Sequence, residues 1–156
     1  MSAAPIAAGF DMGDFVQMDH MCYRTMSQKN YEVKRAELTG VGRLLAESTV
    51  SGRLIAVFRL HEPVRFENWR IDVVELPAPK VGKPFVEGLE HVEFVLFDDK
   101  DDFLRKYDTM GFDLVSADRG INPEIGLKLE HCAVKFHLLN LPTVVYLEKK
   151  LDFGPV

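Results

Sequence analysis

The stretch LEHVEFVL at residues 89–96 decides how the chain is read. It alternates as a strand does, with His91 and Glu93 on one face and Glu90 on the other. A second stretch, MDHMCYRT at residues 18–25, repeats the order acid, histidine, apolar, and places Cys22 and Arg24 on the face of His20. The echo is short, and what makes it a repeat is the run of elements that follows each copy.

After the first copy, Ser27 (or Thr25) can cap a helix over residues 28–38, with Gly40 and Gly42 weakening its end. A strand is predicted over 47–50, then a turn at Ser51-Gly52. RLIAVFRLH at 53–61 alternates cleanly, and a further strand over 69–76 ends at Pro77 and Pro79. The proline- and glycine-rich PAPKVGKPFVEG reads as a linker. After the second copy (a strand over 89–97), the spacing of Phe103, Leu104, Tyr107 and Met110 predicts a helix over 98–110, stopped by Gly111. A short strand over 112–116, a loop DRGINPEIG, and a hairpin of 125–129 with 132–138 around Glu130-His131 complete the order.

The chain therefore reads β-α-β-β-β, linker, β-α-β-β-β, an α+β protein built from a duplicated module. The divisions are a loose arm over 1–14, a first module over 15–80 and a second over 81–156 with a C-terminal extension, all in one structural domain. In the tail, β-branched residues favour a strand, whereas Asn140 as a cap, Pro142 in a first turn, and Lys149 and Lys150 at a C-terminus favour a helix; the balance falls to the helix.

Bulk properties exclude some functions. The net charge of −5, from 24 acidic and 19 basic residues, argues against a nucleic-acid surface. No apolar run reaches the length of a membrane span, and residues 1–14 lack the basic region of a signal peptide. Cys22 and Cys132 are far apart and in no metal-type spacing, which suits reduced thiols and a cytoplasmic location. There is no phosphate-binding glycine loop, no nucleophile elbow and no HExxH.

The chemistry falls to side chains on the first and last strands of each module: His20 and Glu75 in the first, His91 and His137 in the second. Imidazole and carboxylate together suit zinc, iron, nickel or manganese, and four such groups can meet if the modules pack as twofold mates. Each also has an ordinary reading. His20 and His91 can be hydrogen-bonded strand histidines, Glu75 can be exposed, and His137 shares a polar face with His131 and Lys135. Glu148 is the rival fourth ligand if the tail is a strand. Arg24, Arg59 and His61 are candidates for holding an anionic, oxygen-rich substrate, with Arg59 and Glu93 (or Glu75) as candidate catalytic groups.

DH at 19–20, SGR at 51–53, FRLHEPV at 58–64, VELP at 74–77, EHVEFVL at 90–96, NP at 122–123 and KFH at 135–137 occur in this order. Through them the chain resembles the YecM-like family of the vicinal oxygen chelate superfamily, the group of glyoxalase I and the extradiol dioxygenases. The resemblance implies two cupped sheets joined as an open barrel around a divalent metal that binds vicinal oxygens of a small-molecule substrate, as in lyases, isomerases and dioxygenases of the group. By position it implies His20, Glu75 and His91 as ligands, with His137 where the superfamily has a glutamate. It equally implies a metal-free binding protein as the alternative. With both modules in one chain, a monomer suffices and a homodimer remains open.

Overall fold

The computed structural model describes residues 9–83, 85–118, 120–130 and 132–152. Residues 1–8 of the expected arm, Pro84 of the linker, Arg119 of the loop, His131 of the hairpin and the last residues of the tail lie outside them. The elements in chain order are β1 (Phe15–Arg24), α1 (Gln28–Val41), β2 (Gly42–Val50), β3 (Arg53–Phe66), β4 (Trp69–Pro77), β5 (Gly88–Leu96), α2 (Lys100–Lys106), β6 (Ile125–Lys128), β7 (Ala133–His137) and α3 (Leu141–Asp152). The strands form one seven-stranded sheet in the order β2-β3-β4-β1-β5-β7-β6, open at both ends.

The two halves are related about the β1–β5 seam. Those first strands pair antiparallel, and each pairs parallel with the last strand of its own half, β1 with β4 and β5 with β7. Alternation then sorts the side chains. Val74 and Leu76 of β4, Phe58 of β3, and Phe94 and Phe136 of β5 and β7 face the helices. There Tyr31 of α1 packs on Ala56, Phe58 and Leu76, and Phe103 of α2 packs on Phe15, Phe94 and Phe136. The opposite face carries Val57 and Val73, with Val145 of α3 packed over them.

Several expected boundaries move for local reasons. Strand β2 starts at Gly42 rather than residue 47. Gly42 suits that place because a Cβ there would sit 2.7 Å from the Arg59 carbonyl oxygen. Strand β3 runs past Pro63 because β2 begins, at Gly42, opposite Leu60, so Pro63 occupies a stretch unpaired on that side. The turn between β2 and β3 has positive φ at both Ser51 (50°) and Gly52 (77°), the requirement of a type I′ hairpin.

Helix α2 covers only residues 100–106, capped by the Asp99 side chain. Beyond it the Tyr107 hydroxyl is held by Asp14 and the backbone N–H of Asp11. The strand expected over 112–116 is absent. The Asp113 carboxylate accepts from the Val115 N–H at 3.0 Å, a local turn that competes with a ladder, and a single bridge to Gly126 remains. The second half is thus β-α-β-β. The described part of the arm is not loose: residues 12–14 form a short 3-10 helix, and the Phe10 ring packs against Phe15, Phe103, Tyr107 and Phe136. The tail is a helix, capped by the Asn140 side chain accepting from the Thr143 N–H at 2.9 Å.

Candidate metal centre

On the face away from α1 and α2, β1, β4, β5 and β7 deliver His20, Glu75, His91, Glu93, Lys135 and His137 into one cavity of about 590 Å³. Strands β2 and β3 extend its floor through Ala46, Ser48 and Val50 and through Arg53, Ile55 and Val57. Helix α3 covers it with Leu141, Val144 and Val145.

Glu93 is the centre of the cluster. Its carboxylate lies 3.5 Å from Nε2 of His20, 3.0 Å from Nε2 of His91, 2.5 Å from Nε2 of His137 and 3.4 Å from Nζ of Lys135. Burial alone would raise its pKa, but the His20 charge and the ring nitrogens beside it hold the carboxyl well below the usual range. The same logic applies across the cluster. Burial of His20 works against its charge, yet Glu93 and Asp19 push its pKa up to about 10. Burial would raise Glu75, but the His91 ring and the His20 charge hold it at about 2. Lys135 is raised despite its burial by the Glu93 and Glu124 charges.

The rings are oriented from behind. Nδ1 of His20 lies 2.9 Å from Asp19 Oδ2, and Nδ1 of His137 lies 3.1 Å from the Pro123 carbonyl oxygen. With no ion bound His20 is charged and its Nε2 proton faces Glu93; an ion in the cavity would displace that proton, and an Nδ1–H donated to these acceptors would then leave each Nε2 as a lone pair aimed at it, the arrangement of a metal-ligating imidazole. Nε2 of His91 and of His137 are buried and align with no hydrogen-bond partner despite their closeness to Glu93. The 2.5 Å between Nε2 of His137 and Glu93 is too short for an ion to lie between them and suits a shared proton. It is His20, Glu75 and His91 whose chemistry fits a divalent cation: one ligand atom from each lies within 4.8 Å of the others, two imidazoles and a carboxylate turned to one point. His137 falls in a separate group with Glu93 and Glu124.

Other expected site residues are placed differently. Arg24 lines the cavity, but its guanidinium is paired with Glu90 and stacked on the Phe85 ring at 3.9 Å. Glu90, expected to point away, lines the cavity too. The β1–β5 register shifts beside it, after the Cys22–His91 pair, which breaks the simple alternation. Arg59 and His61 do not reach the cavity. The β3–β4 ladder breaks after Arg59–Val73 and resumes at Val64–Ile71. Arg59 pairs with Asp72 at 3.2 Å, and His61 borders a separate hollow with Pro63 and Arg70. Glu148, on the helical tail, is an exposed charge at the cavity's edge.

Asp19, Lys135 and Glu124 were missed as site residues. Asp19 hides because β1 bulges between Met18 and His20, so that two successive residues turn to the cavity. Lys135 carries a readable signal, lying two residues from His137 on the same face of one strand.

A sequence profile described as YecM protein matches residues 6–118. Protein YecM of Escherichia coli (strain K12) is 40% identical over 78 residues, and an uncharacterized protein of Haemophilus influenzae is 38% identical over 80. These alignments span 50% and 51% of this chain and 42% of each relative, so the match takes in less than half of those proteins. Among solved structures, one described as structural-genomics protein EC4020 superposes with a TM-score of 0.75 at 28% identity, over 90% of this chain and 80% of that one. Streptomyces coelicolor methylmalonyl-CoA epimerase, in complex with 2-nitronate-propionyl-CoA, superposes with a TM-score of 0.56 at 15% identity, over 79% of this chain and 96% of that one. The epimerase from Mycobacterium tuberculosis gives 0.55 at 14%, over 90% and 99%. These likenesses show a fold of the vicinal oxygen chelate (glyoxalase) type, and the profile match over most of the chain shows the closer kinship: the chain belongs to the YecM protein family.

Proposed function

We propose that the protein is a divalent-metal-dependent enzyme of the vicinal oxygen chelate type, acting on a small, oxygen-rich, anionic molecule in the central cavity. The observation that supports this most is the convergence of His20, Glu75 and His91 from three neighbouring strands, with two ring nitrogens of the cluster buried and unpartnered. Zinc, nickel, iron or manganese would be held by these three, with His137 and Glu93 competing for the remaining position. When bound, the ion supplies Lewis-acid stabilisation to substrate oxygens. The chain's own residues do the rest. Asp19 and the Pro123 carbonyl fix the rings, α3 shields the cavity from water, and Glu93 holds or takes the proton at its carboxylate oxygen. Lys135 Nζ, 3.4 Å from Glu93, adds a positive charge beside that carboxylate. The epimerase of the same fold holds a nitronate, a planar anion with two oxygens on one atom, which is the kind of group such a centre suits. Two free cysteines suit a cytoplasmic setting.

One observation favours a metal-free binding protein instead. Lys135 Nζ, 3.4 Å from Glu93 and 3.1 Å from Glu124, already brings a positive charge into the cluster. Elemental analysis of tag-free protein decides between the two. We expect about one equivalent of a transition metal, lost in His20→Ala and His91→Ala. Less than about a tenth of an equivalent after reloading overturns the enzyme reading and leaves the binding protein.

A further inference from the structure

We infer that the far end of the cavity is an oxyanion subsite formed by Arg53 and Lys80, so that the substrate carries a second acidic group, carboxylate or phosphate, away from its reacting end. This deepens the function proposed above and rests on it for the reacting end alone.

Arg53, Ile55 and Val57 point into the cavity from alternate positions of β3. Val57 pairs with Glu75 across the sheet, which places the Arg53 backbone about 13 Å along the strand from the cluster's level. Arg53 has no carboxylate partner among the described residues. Its one hydrogen bond is a long one, from Nη1 to the Ala78 carbonyl oxygen at 3.4 Å, and its Nε is buried with no acceptor. A buried guanidinium N–H without an acceptor is costly, and a planar oxyanion is the ligand that fits its fork of donors. Lys80, from the linker after β4, lines the same cavity and makes no ion pair among the described residues. Nε of Arg24, on the wall beside them, is also buried and unsatisfied. The acids that border the cavity are otherwise engaged, Glu90 with Arg24 and Glu124 with Lys135, except Glu148, which is exposed on α3. An elongated bifunctional acid, about 10 Å or more between its ends, fits the arrangement, with its oxygen-rich end at His20, Glu75 and His91 and its distal acid at Arg53.

The test compares three probes by calorimetry and by the arginine Nε–H signals in 15N NMR: 2-hydroxysebacate, the same chain with a terminal phosphate in place of the distal carboxylate, and 2-hydroxydecanoate, which lacks the distal anion. The two diacids should bind about tenfold tighter or better and shift the Arg53 signal. Whichever of them is the tighter says whether carboxylate or phosphate is the natural group. Arg53→Met should erase the advantage without changing metal content, and Lys80→Gln, a linker substitution with little bearing on folding, should reduce it about threefold. Equal binding of all three, no binding by any, or an advantage that survives both substitutions overturns the subsite. Metal content measured on the same samples keeps the two ideas apart: protein without metal that still prefers the diacids keeps the subsite and loses the enzyme reading.

Discussion

Asp19 carries two loads on one carboxylate. Its Oδ2 faces Nδ1 of His20 at 2.9 Å and also accepts from the Leu141 N–H at 2.8 Å, in the first turn of α3. The residue that orients the His20 ring thus also docks the helix that roofs the cavity. Asp19→Asn retains an oxygen for the helix and removes the charge behind the ring. It should lower metal affinity by about tenfold or more, measured by chelator competition, while the thermal midpoint changes little. A fall in the midpoint with unchanged affinity would mean that Asp19 only docks the helix. The strand histidines were legible because each stands in an alternating stretch. Glu93 was legible only as a neighbour of His91, because its role depends on His20 and His137 arriving from other strands. Arg59 was misplaced for the converse reason: its parity on β3 is that of Val57, but the ladder breaks beyond it.

At the scale of elements, the N-terminal segment is fastened to the second half through Asp14. Its carboxylate accepts from Lys106 Nζ at 2.6 Å and from the Tyr107 hydroxyl. Burial pushes the Asp14 carboxyl up, but those hydrogen bonds and the Lys106 charge bring it below its ordinary 3.8. A carboxyl depressed in the folded state stabilises fully above its unfolded pKa and ceases to as pH falls through the folded one. Asp14→Asn should therefore lower the denaturation midpoint near neutrality, and the difference from the parent should vanish as the pH drops below the carboxylate range. A difference that persists unchanged into acid would assign the loss to packing. The first and last helices were readable from their caps, since Ser27 and Asn140 each accept from the backbone N–H three residues on, whereas the middle one was read from its apolar spacing and its Asp99 cap appears only in the structure. The strand over 112–116 was not, because its apolar Leu114 and Val115 point to solvent and Asp113 turns the chain first.

For the whole molecule, the seam between halves is a full strand pairing, from Phe15–Leu96 to Arg24–Gly88, rather than a loose contact. The linker it spans carries Val81, which is 99% exposed. A chain cut at Gly82 should reassemble when both pieces are co-expressed, and each piece alone should be unfolded or insoluble. Size-exclusion chromatography with circular dichroism reads this. A first piece that folds by itself would show that the halves are separate domains, against the single domain expected from the sequence.

The central place of β1 has a consequence for synthesis. His20 emerges from the ribosome long before its pairing partner Glu93. At roughly 5–20 residues per second, the delay is on the order of 4–15 s. During that interval β1 can pair with β4 but shows a bare edge on its other side, where a nascent neighbour could attach. His20 and Glu75 are then present without His91, so on the proposed metal reading an ion reaching the unfinished chain would meet two of three ligands. The cluster closes only when β5 zips onto β1, so a filled centre, if the proposed ion binds, would be a sign that translation has passed the seam.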